Sequence, residues 1–218
     1  MKKSIQALLN QSKVEDNAEI TEKLAGYFSE LESWNRKMNL TGIRDKGKMV
    51  TKHLGDTLAL LPVIPEGTET VLDIGTGAGI PGLLLAIIRP DLQLVLVDAI
   101  RKRISFLLHT AAILGLANVQ CRHARAGDTG FLALVPDRGF DMVVSQATVS
   151  ASVLWEWSGE IISPGGVVIA MKGPRADEEA REFLEKHGDA ARVHIKKGRV
   201  PGSGTIRRFI IMKTGTDP

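Results

Sequence analysis

The chain has 218 residues, 44% of them hydrophobic and 24% charged, which suits one large domain or a domain with a small extension. No stretch approaches the ~20 apolar residues of a membrane span, and the opening MKKSIQALLNQSKVEDNAEI has too brief an apolar patch for a signal peptide. The single cysteine, Cys121, excludes an internal disulfide and suits a reducing cytosol, so a cytoplasmic protein is expected; a net charge of +3 tilts it towards polyanions.

Residues 1–65 read as a helical extension. Ile20, Leu24, Tyr27, Phe28, Leu31 and Trp34 recur at helical spacing while Glu22, Lys23, Glu30 and Glu32 fall off that face, which predicts a helix packed on the main domain. A polar turn follows from Trp34 to Gly42, and Lys46 to Leu61 reads as another helix. It carries His53 and Asp56 three apart and so on one face. Two such groups make neither a triad nor a metal site, and no further residues keep metal-ligand spacing, so a structural pair is expected and no metal. Pro62 and Pro65 close the extension, leaving residues 66–218 as the main domain.

That domain opens with Val71-Leu72-Asp73-Ile74, an apolar run that reads as a buried strand. Gly75, Gly77 and Gly79 follow at alternate positions, then Pro81, Gly82 and the helical run Leu83 to Ile88. Strand, glycine turn and helix begin a βαβ unit whose bare backbone admits a ligand. A second buried strand, Leu94 to Asp98, ends in a carboxylate able to accept both hydroxyls of a ribose. A nucleoside-containing cofactor is the expected occupant, against a tight turn with no ligand. The spacing is G-x-G-x-G, not the G-x-G-x-x-G of dinucleotide sites, and Asp73 stands two residues before the first glycine. A carboxylate there repels a pyrophosphate and suits a ligand with an ammonium and a sulfonium. Asp73-x-Gly75-x-Gly77-x-Gly79 resembles the first motif of class I S-adenosylmethionine (SAM) methyltransferases, with Asp98 in their ribose-binding position.

Arg101 to Gly115 reads as a helix with Ile104, Leu107, Leu108, Ala111 and Ala112 facing inward. Arg101, Lys102 and Arg103 cluster at its start, where cations oppose the helix dipole, so capping does not explain them. A solvated face and an anionic substrate beside the cofactor both remain open. Asn118 to Arg122 is a third strand, followed by a loop, Ala124 to Asp128, that can reach an adenine edge. Phe140 to Ser145 is a fourth strand with Gln146-Ala147 at its carboxyl end, and Ser150 to Ile162 reads as a helix. Pro164-Gly165-Gly166 is expected as a turn into a fifth strand, Val167 to Met171, ending at Lys172-Gly173. Asp177 to His187 reads as a charged surface helix, and Arg192 to Lys197 with Ile206 to Lys213 as a closing hairpin. This alternation predicts an α/β fold, a doubly wound, mostly parallel Rossmann-like sheet. Its ligand should sit where strands one, two and four end, at Gly75 to Gly79, Asp98 and Ser145-Gln146.

Trp34-Asn35, Asn39-Leu40-Thr41, His53-x-x-Asp56, the 71–82 loop, Asp98 followed by Lys102-Arg103, Lys172-Gly173 and Arg207 together resemble the bacterial RsmG (GidB) family over nearly the whole chain. The resemblance implies methyl transfer from SAM to N7 of one guanine in 16S ribosomal RNA, with that RNA or the small ribosomal subunit as partner. It implies cofactor contacts on Gly75, Ile80, Ala126, Gly127 and Gln146, beside Asp73, Gly77, Gly79 and Asp98. Lys102, Arg103, Arg125, Lys172 and Arg207 are the expected phosphate contacts, with the ring of Trp34 or Phe209 for stacking.

The chain departs from the family pattern twice. Ser145-Gln146-Ala147 stands where Ser-Arg-Ala is usual, and Gly127, followed by Asp128, stands where a glutamate is usual. Gln146 can hydrogen-bond but lacks a guanidinium's charge and fork. No catalytic acid, base or nucleophile is assigned. Enzymes that methylate exocyclic amines resemble one another in an Asn/Asp-Pro-Pro-aromatic run, unlike Ser145-Gln146-Ala147-Thr148, and pyrimidine-C5 chemistry needs a thiol, whereas Cys121 reads as a core residue. The alternative functions are methylation of another RNA or a small molecule, and SAM binding without turnover in ribosome assembly.

Overall fold

A computed structural model describes residues 1–15, 18–126, 131, 135–146, 149–188 and 191–214. Three helices come first: α1 (Lys2–Gln11), α2 (Ala18–Met38) and α3 (Lys46–Leu60). The buried residues of α2, among them Thr21, Leu24, Tyr27, Phe28, Leu31 and Asn35, recur every three or four positions, so one stripe faces the core. Asp45 caps α3, its Oδ1 accepting from the Lys48 N–H at 2.7 Å. The 3-10 turn Leu61–Val63 then leads towards the sheet.

Strands and helices alternate from there: β1 (Thr70–Ile74), α4 (Gly82–Ile88), β2 (Gln93–Asp98), α5 (Arg101–Ile113), β3 (Val119–His123), β4 (Phe140–Gln146), α6 (Ala151–Ser158), β5 (Ile162–Lys172), α7 (Ala176–His187), β6 (Ala191–Arg199) and β7 (Ile206–Thr214). They form one seven-stranded sheet in the order β3-β2-β1-β4-β5-β7-β6. Strands β1 to β5 pair in parallel, and β7 lies antiparallel between β5 and β6. The expected closing hairpin is therefore present, with its second strand inserted next to β5.

Two apolar clusters sandwich the sheet. One holds Leu9, Phe28 and Leu54 of the first three helices together with Leu84, Phe106, Met142 and Phe209. The other joins Leu72, Val143 and Ile210 to Leu154 of α6 and Phe183 of α7. Each such fully buried Leu or Phe contributes about 1.5–3 kcal/mol. Residues 1–65 thus share a core with the sheet, and the boundary near residue 65 divides the chain in sequence without dividing the core.

Several local expectations need correction: α2 runs on to Met38 through residues expected as a turn from Trp34, and the helix expected over Ser150 to Ile162 ends at Ser158, with Ile162 already in β5. On α5 it is Phe106, not Leu108 or Ala112, that faces inward, and Leu108 is 52% exposed. The cause is α2: Phe106 packs between Tyr27 and Trp34, with ring centroids 6.4 and 5.6 Å apart, which rotates the buried face towards the extension. Residues 164–166 are not a turn before β5 but lie within it. Phe140 pairs with Ile162 and Met142 with Val167, so Ser163 to Gly166 bulge out of the ladder. Gly166 permits this, since a Cβ there would stand 2.8 Å from Ile162 Cγ1 and 3.0 Å from the Phe140 carbonyl oxygen.

Candidate active site

The glycine loop leaves the carboxyl end of β1 and is tied at once to β2, whose Val97 carbonyl accepts from the N–H groups of Gly75 (2.8 Å) and Thr76 (3.1 Å). Gly75, Gly77 and Gly79 have φ of 69°, 59° and 81°, a left-handed region that side chains avoid, which explains three glycines in five residues. A Cβ on Gly77 would meet nothing nearer than the Gly75 oxygen at 3.9 Å, so this part of the backbone is open to a ligand; at Gly79 it would strike Leu83 and Leu107 within 2.9 Å. The same alternate glycines therefore divide into one that exposes backbone and one that lets α4 pack.

Asp73 is fully buried beneath the loop. Its Oδ2 accepts from Thr76 Oγ1 at 2.7 Å and from the Gly82 N–H at 2.9 Å, which pins both the turn and the start of α4. Its Oδ1 is buried with no hydrogen-bond partner among the described residues. Burial pushes the carboxyl up to about 7, against the pull of those two donors. An orphaned acceptor beside open glycine backbone fits a ligand that brings a cationic or hydrogen-donating group. Asp98 ends β2 and faces the same loop: Oδ2 accepts from Gly77 N–H at 3.0 Å and from Arg103 Nη1 at 3.1 Å, and Oδ1 from Ile100 N–H at 2.8 Å. These acids and glycines suit SAM, with its sulfonium, ammonium and ribose diol.

A residue read from its spacing only as core completes the loop. Tyr27 of α2 is fully buried and donates its hydroxyl to the Ala78 carbonyl at 2.8 Å. Burial, and then the Asp73 charge, raise its ionisation well above the ordinary tyrosine value, so it stays a donor. A tyrosine on a helical core stripe hinted at a polar partner, because a buried phenol needs one, but spacing could not name Ala78.

A second polar cluster lies at the carboxyl end of β4. Ser145 Oγ donates to the Ile74 carbonyl at 2.8 Å, joining the ends of β4 and β1. Gln146 Nε2 donates to Asp56 Oδ2 of α3 at 3.1 Å, and Arg207 of β7 grips the same carboxylate as a fork, Nε to Oδ1 at 2.7 Å and Nη2 to Oδ2 at 2.9 Å. Lys52 also pairs with Asp56 Oδ2. Burial raises the Asp56 carboxyl and lowers the Arg207 guanidinium, while the fork and the Gln146 donor hold the pair charged. His53 does not pair with Asp56; its Nε2 meets Thr41 Oγ1 at 3.0 Å, and burial lowers it to about 4, which keeps the ring neutral. Asn35 organises the same turn, accepting from the Thr41 N–H at 2.9 Å and donating to the Ile43 carbonyl at 3.2 Å.

The remaining expected site residues divide by what they touch. Lys102 and Arg125 are exposed, Ile80 and Ala126 half-buried, and Arg103 half-buried against Asp98. Lys172 is only 12% exposed: its ammonium meets Glu179 Oε1 at 2.8 Å and the Val149 carbonyl. Phe209 is fully buried and offers no stacking face, and Trp34 lies against Phe106 and His109. Cys121 is buried in β3, and burial pushes its thiol up to about 11, far from a reactive thiolate. Gly127, Asp128 and Ala147 lie outside the described residues. Among the described residues no His, Cys, Asp and Glu cluster could hold a metal, and no helix is long and apolar enough to cross a membrane.

Sheet order, the antiparallel β7 and the acid-flanked glycine loop define the class: this is the fold of the class I SAM-dependent methyltransferases. Among solved structures, cofactor-bound Rv0187 from MTB is similar over 97% of this chain and 96% of that one, with a TM-score of 0.62 and 18% identity. An O-methyltransferase from Bacillus cereus in complex with SAH covers 98% of this chain and 100% of its own, with a TM-score of 0.62 and 16% identity. Those likenesses show the fold alone.

Sequence relatives narrow the class. Residues 20–203 match the family model GidB, rRNA small subunit methyltransferase G. The protein of that name from Methylobacillus flagellatus is 37% identical over 179 residues, 82% of this chain and 84% of its own. That from Halorhodospira halophila is 35% identical over 193 residues, 88% of each chain. The chain belongs to the GidB family of small-subunit rRNA methyltransferases.

Proposed function

We propose that this protein transfers the methyl group of SAM to N7 of a guanine in 16S ribosomal RNA. The observation that carries the cofactor side is the meeting, at adjacent strand ends, of open Gly77 backbone, the orphaned Asp73 Oδ1 and the Asp98 carboxylate. Asp73, Gly75, Gly77, Gly79, Ile80, Asp98, Ala126, Gly127 and Gln146 are the proposed cofactor contacts. Asp98 takes the ribose hydroxyls, for which Arg103 gives up its place on Oδ2 or shares it. SAM supplies an already activated methyl on its sulfonium, so the chain's task is to align acceptor and methyl, an orientation effect that can be worth ~7–11 kcal/mol.

The acceptor atom follows the family resemblance and agrees with the side chains present. Guanine N7 carries an in-plane lone pair and no proton to remove, so its methylation needs neither a general base nor a nucleophile. His53, held neutral on Thr41, and Cys121, buried in the sheet, are not placed for such roles. Lys102, Arg103, Arg125, Lys172 and Arg207 are the proposed phosphate contacts. Exposed Lys102 and Arg125 are available directly, whereas Lys172 and Arg207 reach RNA from within their pairs with Glu179 and Asp56. The test is chemical. Subunit RNA treated with enzyme and SAM should become cleavable at one guanine by borohydride and then aniline. Methyl incorporation without that cleavage would put the methyl on another atom.

A further inference from the structure

Between α3 and the turn joining β6 to β7 lies a groove of about 500 Å³ that takes in one of the phosphate contacts proposed above, Arg207. One wall carries Lys48, Thr51 and Lys52 of α3; the other carries Ser203 and Thr205, with Arg207 between them at the floor. The turn is a built wall. Val200 N–H donates to the Thr205 carbonyl at 2.7 Å, Gly204 N–H to the Val200 carbonyl at 3.1 Å, and Gly202 N–H to Gln11 Oε1 of α1 at 3.0 Å. It sits hard on α3, where a Cβ on Gly55 would stand 2.8 Å from Val200 Cγ1.

The charges in this groove do not cancel. Buried Asp56 carries one negative charge and meets two cations, Arg207 and Lys52. The Asp45 carboxylate at the rim, the cap of α3, adds a second negative charge, and exposed Lys48 in the first turn of α3 adds a third positive one, which leaves one cation in surplus. A groove with surplus positive charge, hydroxyl groups on its far wall and a floor hydrogen-bonded to Gln146 suits an extended polyanion leading to the end of β4. We propose that the α3 and β6–β7 groove binds the sugar-phosphate backbone of the RNA strand, with Lys48 and Lys52 as phosphate contacts and Ser203 and Thr205 as hydroxyl partners. The proposal rests on the reading of ribosomal RNA as substrate. It adds a basic track supplied by the N-terminal extension to the cations near α5.

Two variants avoid the buried ion pair. Lys48→Glu and Thr205→Glu place negative charge on opposite walls at exposed positions. Each should raise the KM for small subunits several-fold and leave SAM affinity, read by calorimetry on the same preparations, unchanged. Lys48→Glu should also lower the slope of log K against log salt by about 0.7, the share of one phosphate contact on a single strand. For contact itself, the exposed Ser203→Cys variant can be labelled selectively with a photo-crosslinker, because the native thiol is buried. Attachment to 16S RNA within the subunit is the expected result. Attachment only to a ribosomal protein, no attachment, or wild-type KM and salt slope in both charge variants would overturn the proposal. If the wild-type chain transfers no methyl to 16S RNA, it is the functional reading that fails.

Discussion

Replacing Tyr27 by phenylalanine isolates one bond between the N-terminal extension and the cofactor loop. The ring keeps its neighbours, including the edge contact with Phe28 at 5.0 Å between centroids, and loses only the hydroxyl that donates to the Ala78 carbonyl at 2.8 Å. Both partners are buried, Tyr27 fully and Ala78 to 4% exposure, so water does not replace the donor. An acceptor stranded in this way costs about 1–3 kcal/mol. The Ala78 carbonyl belongs to the loop between Gly77 and Gly79, so the loss should fall partly on stability and partly on the loop's readiness to bind. Urea denaturation should show a lower midpoint with an unchanged m-value. Calorimetry should show weaker SAM binding, up to about tenfold if some 1.4 kcal/mol falls on the loop. A variant with wild-type stability and wild-type SAM affinity would refute the idea that α2 holds the loop in place.

Three further outcomes are expected. Asp98→Ala should weaken SAM by roughly 1.5–3 kcal/mol, the scale for hydrogen bonds to a charged group, and unchanged affinity by calorimetry would remove Asp98 from the site. Burial raises the Asp73 carboxyl from 3.8 to about 7, so its contribution to stability is whole below pH 3.8 and is lost as pH rises towards 7. Asp73→Asn should flatten that part of the stability profile, and identical wild-type and variant profiles from pH 4 to 8 would contradict it. Burial of the Asp56 carboxylate between Gln146, Lys52 and Arg207 predicts that Asp56→Ala loses about 3–5 kcal/mol on thermal or denaturant unfolding. His53→Ala, which breaks a single bond to Thr41, should cost far less by the same measurement.

What could be read in the chain beforehand was local or periodic. The strand-glycine-helix run of residues 71–88 and the acid closing β2 lie within short windows, and their spacing carries their meaning. Alternation of strands and helices gave the parallel sheet, although not the placement of β7 between β5 and β6. What stayed hidden depends on elements far apart in sequence meeting in space. The pairing of Asp56 with Arg207 spans 151 positions, so His53 looked the nearer partner. The inward face of α5 was misjudged because Trp34 and Tyr27 of α2 form part of the wall it packs on. The Ser163–Gly166 excursion carries ordinary turn chemistry, and only its pairing with β4 shows a strand on both sides.

The clasp between Gln11 and Gly202 joins residues 191 positions apart. During synthesis at ~5–20 residues per second, α1 therefore waits on the order of 10 to 40 s for the turn that fastens it. Through that interval the extension lacks both the Arg207 fork on Asp56 and the β6–β7 turn that covers α3, and its apolar stripes have only one another and the growing sheet. Closure of the fold is thus a late, long-range event, since loop-closure entropy is met before the contact it allows. A nascent chain halted before residue 200 should expose the flank of α3 to proteases, and release of the completed chain should remove that sensitivity in a single step.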